Sequence, residues 1–123
     1  MEQKYIAFIS YRHAQLDAAV AKQLHTSIEQ FVIPKALRRG EKKLGKVFRD
    51  LEELPASSNL SDDIYRALDN SQYLIVICSR AMTQSPWVTR EVLYFLEHHD
   101  QDNVFTVLVD GEPGEVFPKV LLQ

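Results

Sequence analysis

The sequence predicts an α/β fold: a doubly wound parallel sheet of four to five strands with helices on both faces. Three almost wholly apolar runs, at 5–9, 73–78 and 103–109, are typical of strands that are buried on both faces. The segments between such runs repeat apolar residues every three or four positions, which is the helical period. Because strands and helices alternate along the chain, right-handed crossovers and a parallel sheet are favoured.

The first part of the chain is predicted to contain two strands and one helix. Residues 5–9 form the first strand, and residues 10–13 form the loop at its carboxyl end. The helix that follows ends shortly before Pro34. A basic segment at 35–46, with six Lys or Arg residues against one Glu, leads to a short second strand at 46–49. The apolar stripe of the helix consists of Leu16, Val20, Leu24, Ile28 and Phe31.

The second helix is predicted after a loop at 50–59. It begins near Asn59 or Ser61, which are both good N-caps, and it ends near Asn70. The strand at 73–78 follows and is the strongest strand signal in the chain.

The third helix has a well-formed start, with Ser85 as N-cap and Pro86 at the first helical position. Glu91 is predicted to lie beside the apolar face of this helix rather than on it, flanked by Trp87 and Phe95 at four-residue spacing. The apolar face consists of Val88, Val92, Phe95, Leu96 and His99.

Parallel strands bring their carboxyl ends to one edge of the sheet, where folds of this kind bind ligands. The loops expected at that edge are 10–13, 50–59, 79–84 and 110–115. The start of the helix that carries Glu91 faces the same edge. Since the chain stops soon after its fourth predicted strand, we expect a single domain over residues 1–123 that lacks its last strand and helix and forms the N-terminal part of a longer multidomain protein.

Composition narrows the classes of function. With 46% hydrophobic and 25% charged residues the chain can fold around a core, and its net charge of -3 argues against a general nucleic-acid binder. Cys78, the one cysteine, can form neither an internal disulfide nor a cysteine-rich zinc site, and it fits a reducing, cytoplasmic setting. No run approaches the roughly 18 apolar residues of a membrane span. Glycine-rich phosphate motifs and paired His or Cys ligands are missing, so we expect no metal and no Rossmann-type cofactor site.

Three short boxes occur in order along the chain: Phe8–Arg12, Val47–Leu54 and Ser85–Glu91. Together they resemble Toll/interleukin-1 receptor (TIR) domains, whose flavodoxin-like fold agrees with the fold predicted above. The first box is similar to the first conserved box of the family, and the second to the second strand and loop of bacterial and plant members. The third resembles the segment with the NAD-cleaving glutamate of enzymatic members. One departure is the stretch 55–59, which lacks the glycine that is usual in that loop.

The resemblance implies an NAD+ glycohydrolase or cyclase that cleaves the nicotinamide–ribose bond, with NAD+ as substrate rather than as a bound cofactor. It assigns the catalytic role to Glu91. One carboxylate suffices for this chemistry because the cationic nicotinamide nitrogen leaves as a neutral pyridine and needs no general acid, unlike the leaving group of ordinary glycosides. The substrate-binding residues that the resemblance implies are Ser10, Tyr11, Arg12, Phe48, Asp50, Ser85 and Trp87.

Most of these residues also have a structural explanation. Glu91 is alternatively a solvated helix glutamate and Ser85 an N-cap, while Phe48 and Trp87 are alternatively packing residues. Arg12 is alternatively a surface residue paired with Asp50 or Glu52.

The resemblance further implies self-association through TIR domains. Such domains are inactive as monomers and active when a sensor domain, here expected C-terminal to residue 123, stacks them in bacterial defence against phage. The alternative is a non-enzymatic module for TIR–TIR interaction, which Glu91 in its Ser85/Trp87 context argues against because adaptor members often lack that glutamate. A nucleoside deoxyribosyltransferase-like enzyme fits the three boxes less well. Direct binding to nucleic acid or membrane is not expected.

Overall fold

The computed structural model describes residues 4–49, 62–80, 82–84 and 86–118. The strands are β1 (Tyr5–Ser10), β2 (Val47–Arg49), β3 (Ser71–Cys78) and β4 (Val104–Leu108). The α-helices are α1 (Gln15–Gln30), α2 (Asp62–Asp69), α3 (Pro86–His98) and α4 (Pro113–Val116). Short 3-10 turns occupy Lys35–Leu37, Met82–Gln84 and Gln101–Asn103.

The four described strands form one sheet in the order β2-β1-β3-β4, and every neighbouring pair is parallel. The chain runs from β1 outward to β2 and then crosses back to β3. The order therefore reverses between β1 and β3, and the carboxyl ends of these two strands define the topological switch point at which α/β sheets bind ligands. The predicted doubly wound α/β fold is confirmed.

Side chains of β3 alternate between two cores on opposite faces of the sheet. Leu74, Val76 and Cys78 pack with α2 and α3, whereas Ile75 and Ile77 lie on the face covered by α1. Because helices cover both faces, the strand is apolar at every position from Tyr73 to Cys78, and this explains the uninterrupted run in the sequence.

The stripe predicted for α1 is displaced by one residue. Leu16 is 54% exposed and Phe31 is 49% exposed, whereas Asp17 and Ala21 are the residues that α1 buries. The helix approaches the sheet through the small side chain of Ala21, and this rotation brings Asp17, one turn earlier, to the same face. The other stripe residues, Val20, Leu24 and Ile28, are partly buried beside this contact.

Two predictions of burial are also wrong. Glu91 lies on the buried face of α3, together with Val88, Val92 and Phe95, because Ser10 of the facing strand gives its carboxylate a hydrogen-bond partner. β4, the edge strand of the described sheet, is not buried on both faces, because Phe105 is 52% exposed and Leu108 is 46% exposed.

The predicted loop at 50–59 and the predicted N-caps Asn59, Ser61 and Ser85 lie outside the described residues. Within the described ranges, no helix has both the length and the apolar character that crossing a membrane requires. The same ranges contain no group of three or more His, Cys, Asp or Glu residues placed to hold a metal ion.

Val76→Asp tests the central position of β3. Val76 is fully buried, and an unpaired carboxylate there costs several kcal/mol, which is comparable with a typical domain stability of about 5–15 kcal/mol. We expect the variant to lose its cooperative thermal transition in circular dichroism. Leu37→Asp is the matched control, because Leu37 is 70% exposed, and it should melt like the wild type. A normal melting curve for Val76→Asp would contradict the buried placement of β3.

Candidate active site

A buried carboxylate and a buried hydroxyl meet at the carboxyl end of β1. Ser10 is the last residue of β1 and pairs in register with Val76, so its side chain faces α2 and α3, as that of Val76 does. Its Oγ donates a hydrogen bond of 2.7 Å to Oε1 of Glu91. Ser10 is 1% exposed and Glu91 is 5% exposed. The carboxylate therefore lies at the switch point of the sheet and not in bulk solvent.

The hydrogen bond between Ser10 and Glu91 matters most for burying the carboxylate at this site. Taking a carboxylate out of water is costly unless hydrogen bonds replace those it loses. A hydroxyl that donates to a carboxylate at this distance makes a charge-assisted bond, which is stronger than one between neutral groups. The bond also restricts the side-chain rotation of Glu91, so the carboxylate is held in one orientation at the strand end.

Two aromatic side chains lie on the same face of the sheet as Glu91. Phe48 of β2 stacks on Phe8 with a centroid distance of 5.1 Å and packs against the core under α2 and α3. Trp87, in the first turn of α3, packs against the same core, and the Arg90 guanidinium lies 5.2 Å from the centre of its ring. Both aromatic residues are half-buried, so each also contributes to the core, the structural role considered for it above.

Tyr11 is placed on the opposite face of the sheet. It is 8% exposed and belongs to the core on the α1 side, where its ring stacks on His13 at a centroid distance of 4.7 Å. Because successive residues of an extended segment point to opposite faces, Ser10 and Tyr11 cannot both face α3. The structure therefore does not bring Tyr11 together with Glu91, contrary to the grouping made from the sequence.

Three further residues of the predicted site remain. Arg12 is half-buried; burial raises the pKa of the Asp17 carboxyl group, and the positive charge of Arg12 opposes part of that rise. Asp50 and Ser85 lie outside the described residues.

A second buried pair, which sequence reasoning missed, lies on the α1 face. Asp17 is 2% exposed and Ser79 is fully buried. Ser79 Oγ donates to Oδ2 of Asp17 at 2.5 Å and accepts a hydrogen bond of 3.0 Å from the backbone N–H of Met82. Burial raises the pKa of Asp17, and the hydrogen bond from Ser79 opposes that rise. The helical spacing of Asp17, Ala21, Leu24 and Ile28 would have indicated this placement.

The two pairs connect the strands and helices reciprocally. Ser10 ends β1 and bonds to α3, the helix after β3. Ser79 directly follows β3 and bonds to α1, the helix after β1. Each pair thus ties the end of one central strand to the helix that follows the other.

Cys78 is not available as a nucleophile at this edge. It is fully buried, and burial, with a smaller contribution from the charge of Asp17, raises the pKa of its thiol to about 12. The reactive form of cysteine is the thiolate, which this thiol does not form at neutral pH.

Comparison with known proteins agrees with this architecture. A family model described as the TIR domain matches residues 7–122. The match covers nearly the whole chain, and the chain therefore belongs to the TIR domain family.

One curated relative is the "NAD(+) hydrolase ApTIR" of Actinoplanes sp. (strain ATCC 31044 / CBS 674.73 / SE50/110). The chain is 34% identical to it over 109 residues, which cover 89% of this chain and 14% of that protein. The chain thus corresponds to a small part of the relative's length.

Among solved structures, the chain is similar to the TIR domains of the activated Roq1 resistosome directly recognizing the pathogen effector XopQ. The TM-score is 0.61 at 23% identity, and the match covers 89% of this chain and 60% of that one. At this identity the likeness is one of fold, and it agrees with the flavodoxin-like arrangement predicted from the sequence.

Ser10→Ala tests how strongly Glu91 depends on Ser10. Removing a donor to a buried carboxylate should lower the free energy of unfolding by about 1.5–3 kcal/mol, measured by urea denaturation. Ser71→Ala is the matched control, because Ser71 is equally buried but donates to the neutral carbonyl of Ala67, and it should cost about 0.5–1.5 kcal/mol. In the Glu91→Gln background, Ser10→Ala should lower the free energy of unfolding by less than it does in the wild type. Equal costs in both backgrounds would show that the two side chains are not coupled.

Proposed function

We propose that this chain is an NADase, cleaving the bond between nicotinamide and ribose in NAD+ with Glu91 as its catalytic carboxylate. The observation that carries the proposal is a glutamate buried at the switch point of a TIR domain and oriented by Ser10. The 34% identity to a protein named as an NAD(+) hydrolase supports the same reaction.

The reaction needs little from the protein besides one well-placed negative charge. The bond between C1′ of ribose and the pyridinium nitrogen breaks, and its electron pair leaves with the nitrogen, so nicotinamide departs neutral. Positive charge develops on C1′ and the ring oxygen, and a carboxylate held close to them stabilises that charge. Water then attacks C1′ and loses a proton, which gives ADP-ribose. Attack by a nucleophile of the same dinucleotide would give a cyclic isomer instead.

Preorganisation is the contribution of Ser10. A charge that is already oriented when the transition state forms avoids the cost of reorganising solvent and is typically worth about 3–4 kcal/mol. Phe48 and Trp87 lie on the same face of the sheet and offer aromatic surfaces for the nicotinamide or ribose. We assign Arg12 to a phosphate or to the adenine of a neighbouring subunit, and Asp50 and Ser85 to contacts with the substrate.

The role of Tyr11 differs from that of its neighbour Ser10. Its position in the α1-side core suits a residue that supports the loop after β1 from the opposite face of the sheet. We therefore propose that Tyr11 acts on the substrate only through the placement of this loop.

The burial of Glu91 supports activation by self-assembly. At 5% exposure the carboxylate offers a substrate little surface in the single chain. In this proposal the site opens before ribose reaches the carboxylate, and contact with a second copy of the chain drives that opening. We place this activity in bacterial defence against phage, controlled by an attached sensor domain, as an effector in the cytoplasm. The alternative is a non-enzymatic TIR–TIR interaction module.

Glu91→Gln tests the catalytic assignment. The amide oxygen still accepts a hydrogen bond from Ser10, so the fold should persist, but the charge is lost and nicotinamide release should fall by about 10²–10³-fold. Release is measured by chromatography after incubation of concentrated protein with NAD+. The matched control is Glu97→Gln, the same change at an exposed position of the same helix, which should retain wild-type turnover. Wild-type turnover in a folded Glu91→Gln variant would remove the assignment.

Protein concentration tests activation by assembly. We expect the rate of nicotinamide release per chain to rise steeply as the protein is concentrated, crowded or tethered, in parallel with the oligomer fraction seen by light scattering. A constant rate per chain across a monomeric dilution series would contradict assembly-dependent activation. Oligomers that release no nicotinamide would instead favour the non-enzymatic module.

A further inference from the structure

We propose that Asp17 is a positioning residue for Glu91, acting through Ser79 and the backbone of Met82 to set where α3 begins. The structural part of this inference stands on the contacts alone. Its consequence for turnover rests on the proposed NADase function.

The contacts form a continuous relay from α1 to the turn that precedes α3. The Asp17 carboxylate accepts the hydroxyl proton of Ser79. This donation fixes the rotation of the hydroxyl group, and with it the direction of the oxygen lone pairs, one of which accepts the N–H of Met82. Met82 opens the 3-10 turn Met82–Gln84, only a few residues before α3 starts at Pro86.

The relay crosses from one face of the sheet to the other. Asp17 lies on the face covered by α1, but the Met82 side chain is 4% exposed and packs in the same core as Val88 and Val92 of α3. A displacement of Met82 would therefore be transmitted to the first turns of α3. Glu91 lies in the second turn of that helix, and its 2.7 Å contact with Ser10 tolerates little movement.

The β3–α3 turn is also held from its exposed side. Asp110, in the loop after β4, accepts the backbone N–H of Arg80 at 2.7 Å, and the Arg80 side chain pairs with Glu115 at 2.8 Å. These contacts are exposed and therefore weak. From inside the protein, the turn is held by the Met82 side chain in the core and by the hydrogen bonds that link Met82 through Ser79 to Asp17.

A carboxylate in this position works against stability. Burial raises the pKa of Asp17; the neighbouring charge of Asp110 raises it further, and that of Arg12 lowers it, while Cys78 stays uncharged beside it. A group with a raised folded-state pKa contributes stability that is present below its unfolded pKa and lost as the pH rises through the folded value. At neutral pH, Asp17→Asn should therefore keep the acceptor oxygen for Ser79 without the burden of a buried charge.

The test compares two substitutions that separate the acceptor from the charge. Asp17→Ala removes the acceptor and should lower kcat for nicotinamide release by about 10- to 100-fold, since small misplacements far from the reacting atoms have effects of this size, with KM nearly unchanged. Asp17→Asn should restore kcat to near the wild-type value. Ser79→Ala should resemble Asp17→Ala, and the double variant should be no worse than either.

Controls distinguish positioning from simple destabilisation. Ser71→Ala removes a hydroxyl that is equally buried but lies at the other end of β3, so it should lower the melting temperature without lowering kcat. Asp102→Ala, at an exposed position before β4, should change neither. If Asp17→Ala lowers the melting temperature without lowering kcat, as expected for Ser71→Ala, the proposal is overturned.

Amide hydrogen exchange provides a readout that does not require activity. In Asp17→Ala and Ser79→Ala, exchange should accelerate at Met82 and in the first two turns of α3, and the NMR shifts of Ser10 should move, while Asp17→Asn stays close to the wild type. Faster exchange at Met82 alone, with α3 and Ser10 unchanged, would contradict the positioning role of Asp17 even if the chain is an NADase. A wild-type chain that releases no nicotinamide would contradict the proposed function, but hydrogen exchange would still test the positioning role of Asp17.

Discussion

The structure depends on two serine hydroxyls that satisfy two buried carboxylates at the carboxyl ends of adjacent strands. Glu91 and Asp17 are both nearly inaccessible to solvent, and each is a liability for folding unless a donor meets it. The donors are Ser10 and Ser79, which lie at the tip of β1 and directly after β3. Because the chain crosses the sheet between these two strands, satisfying the two acids also joins the two halves of the fold.

This arrangement explains why the site occurs where it does. A parallel sheet whose strand order reverses between β1 and β3 leaves a crevice at their carboxyl ends. Apolar side chains fill both faces below that point, so the polar groups concentrate at the last strand residue and just beyond it. A carboxylate in such a place is largely shielded from water, and there its charge acts on a substrate more strongly than it would at the surface.

The fold class follows correctly from residue types, but the directions of several side chains do not. The burial of β4 is misjudged, whereas the order of the elements and the start of α3 at Pro86 are predicted correctly because they depend on local chemistry. The orientation of α1 is not, since the stripe of large residues suggests Leu16 inward, whereas close packing on the sheet selects Ala21. The same rotation buries Asp17, and the sequence does not predict this because an aspartate in a helix is expected to be solvated.

Periodicity and short motifs are local properties of the chain, so residue order alone predicts the succession of strands and helices, the parallel sheet and the three boxes that resemble TIR domains. The packing of the folded chain is what brings Ser10 to Glu91, turns Tyr11 to the opposite face and brings Asp17 to Ser79. These contacts join residues 81 and 62 positions apart, and they depend on strand order and the alternation of side chains across the sheet. Neither of these two contacts can be predicted from a stretch of neighbouring residues.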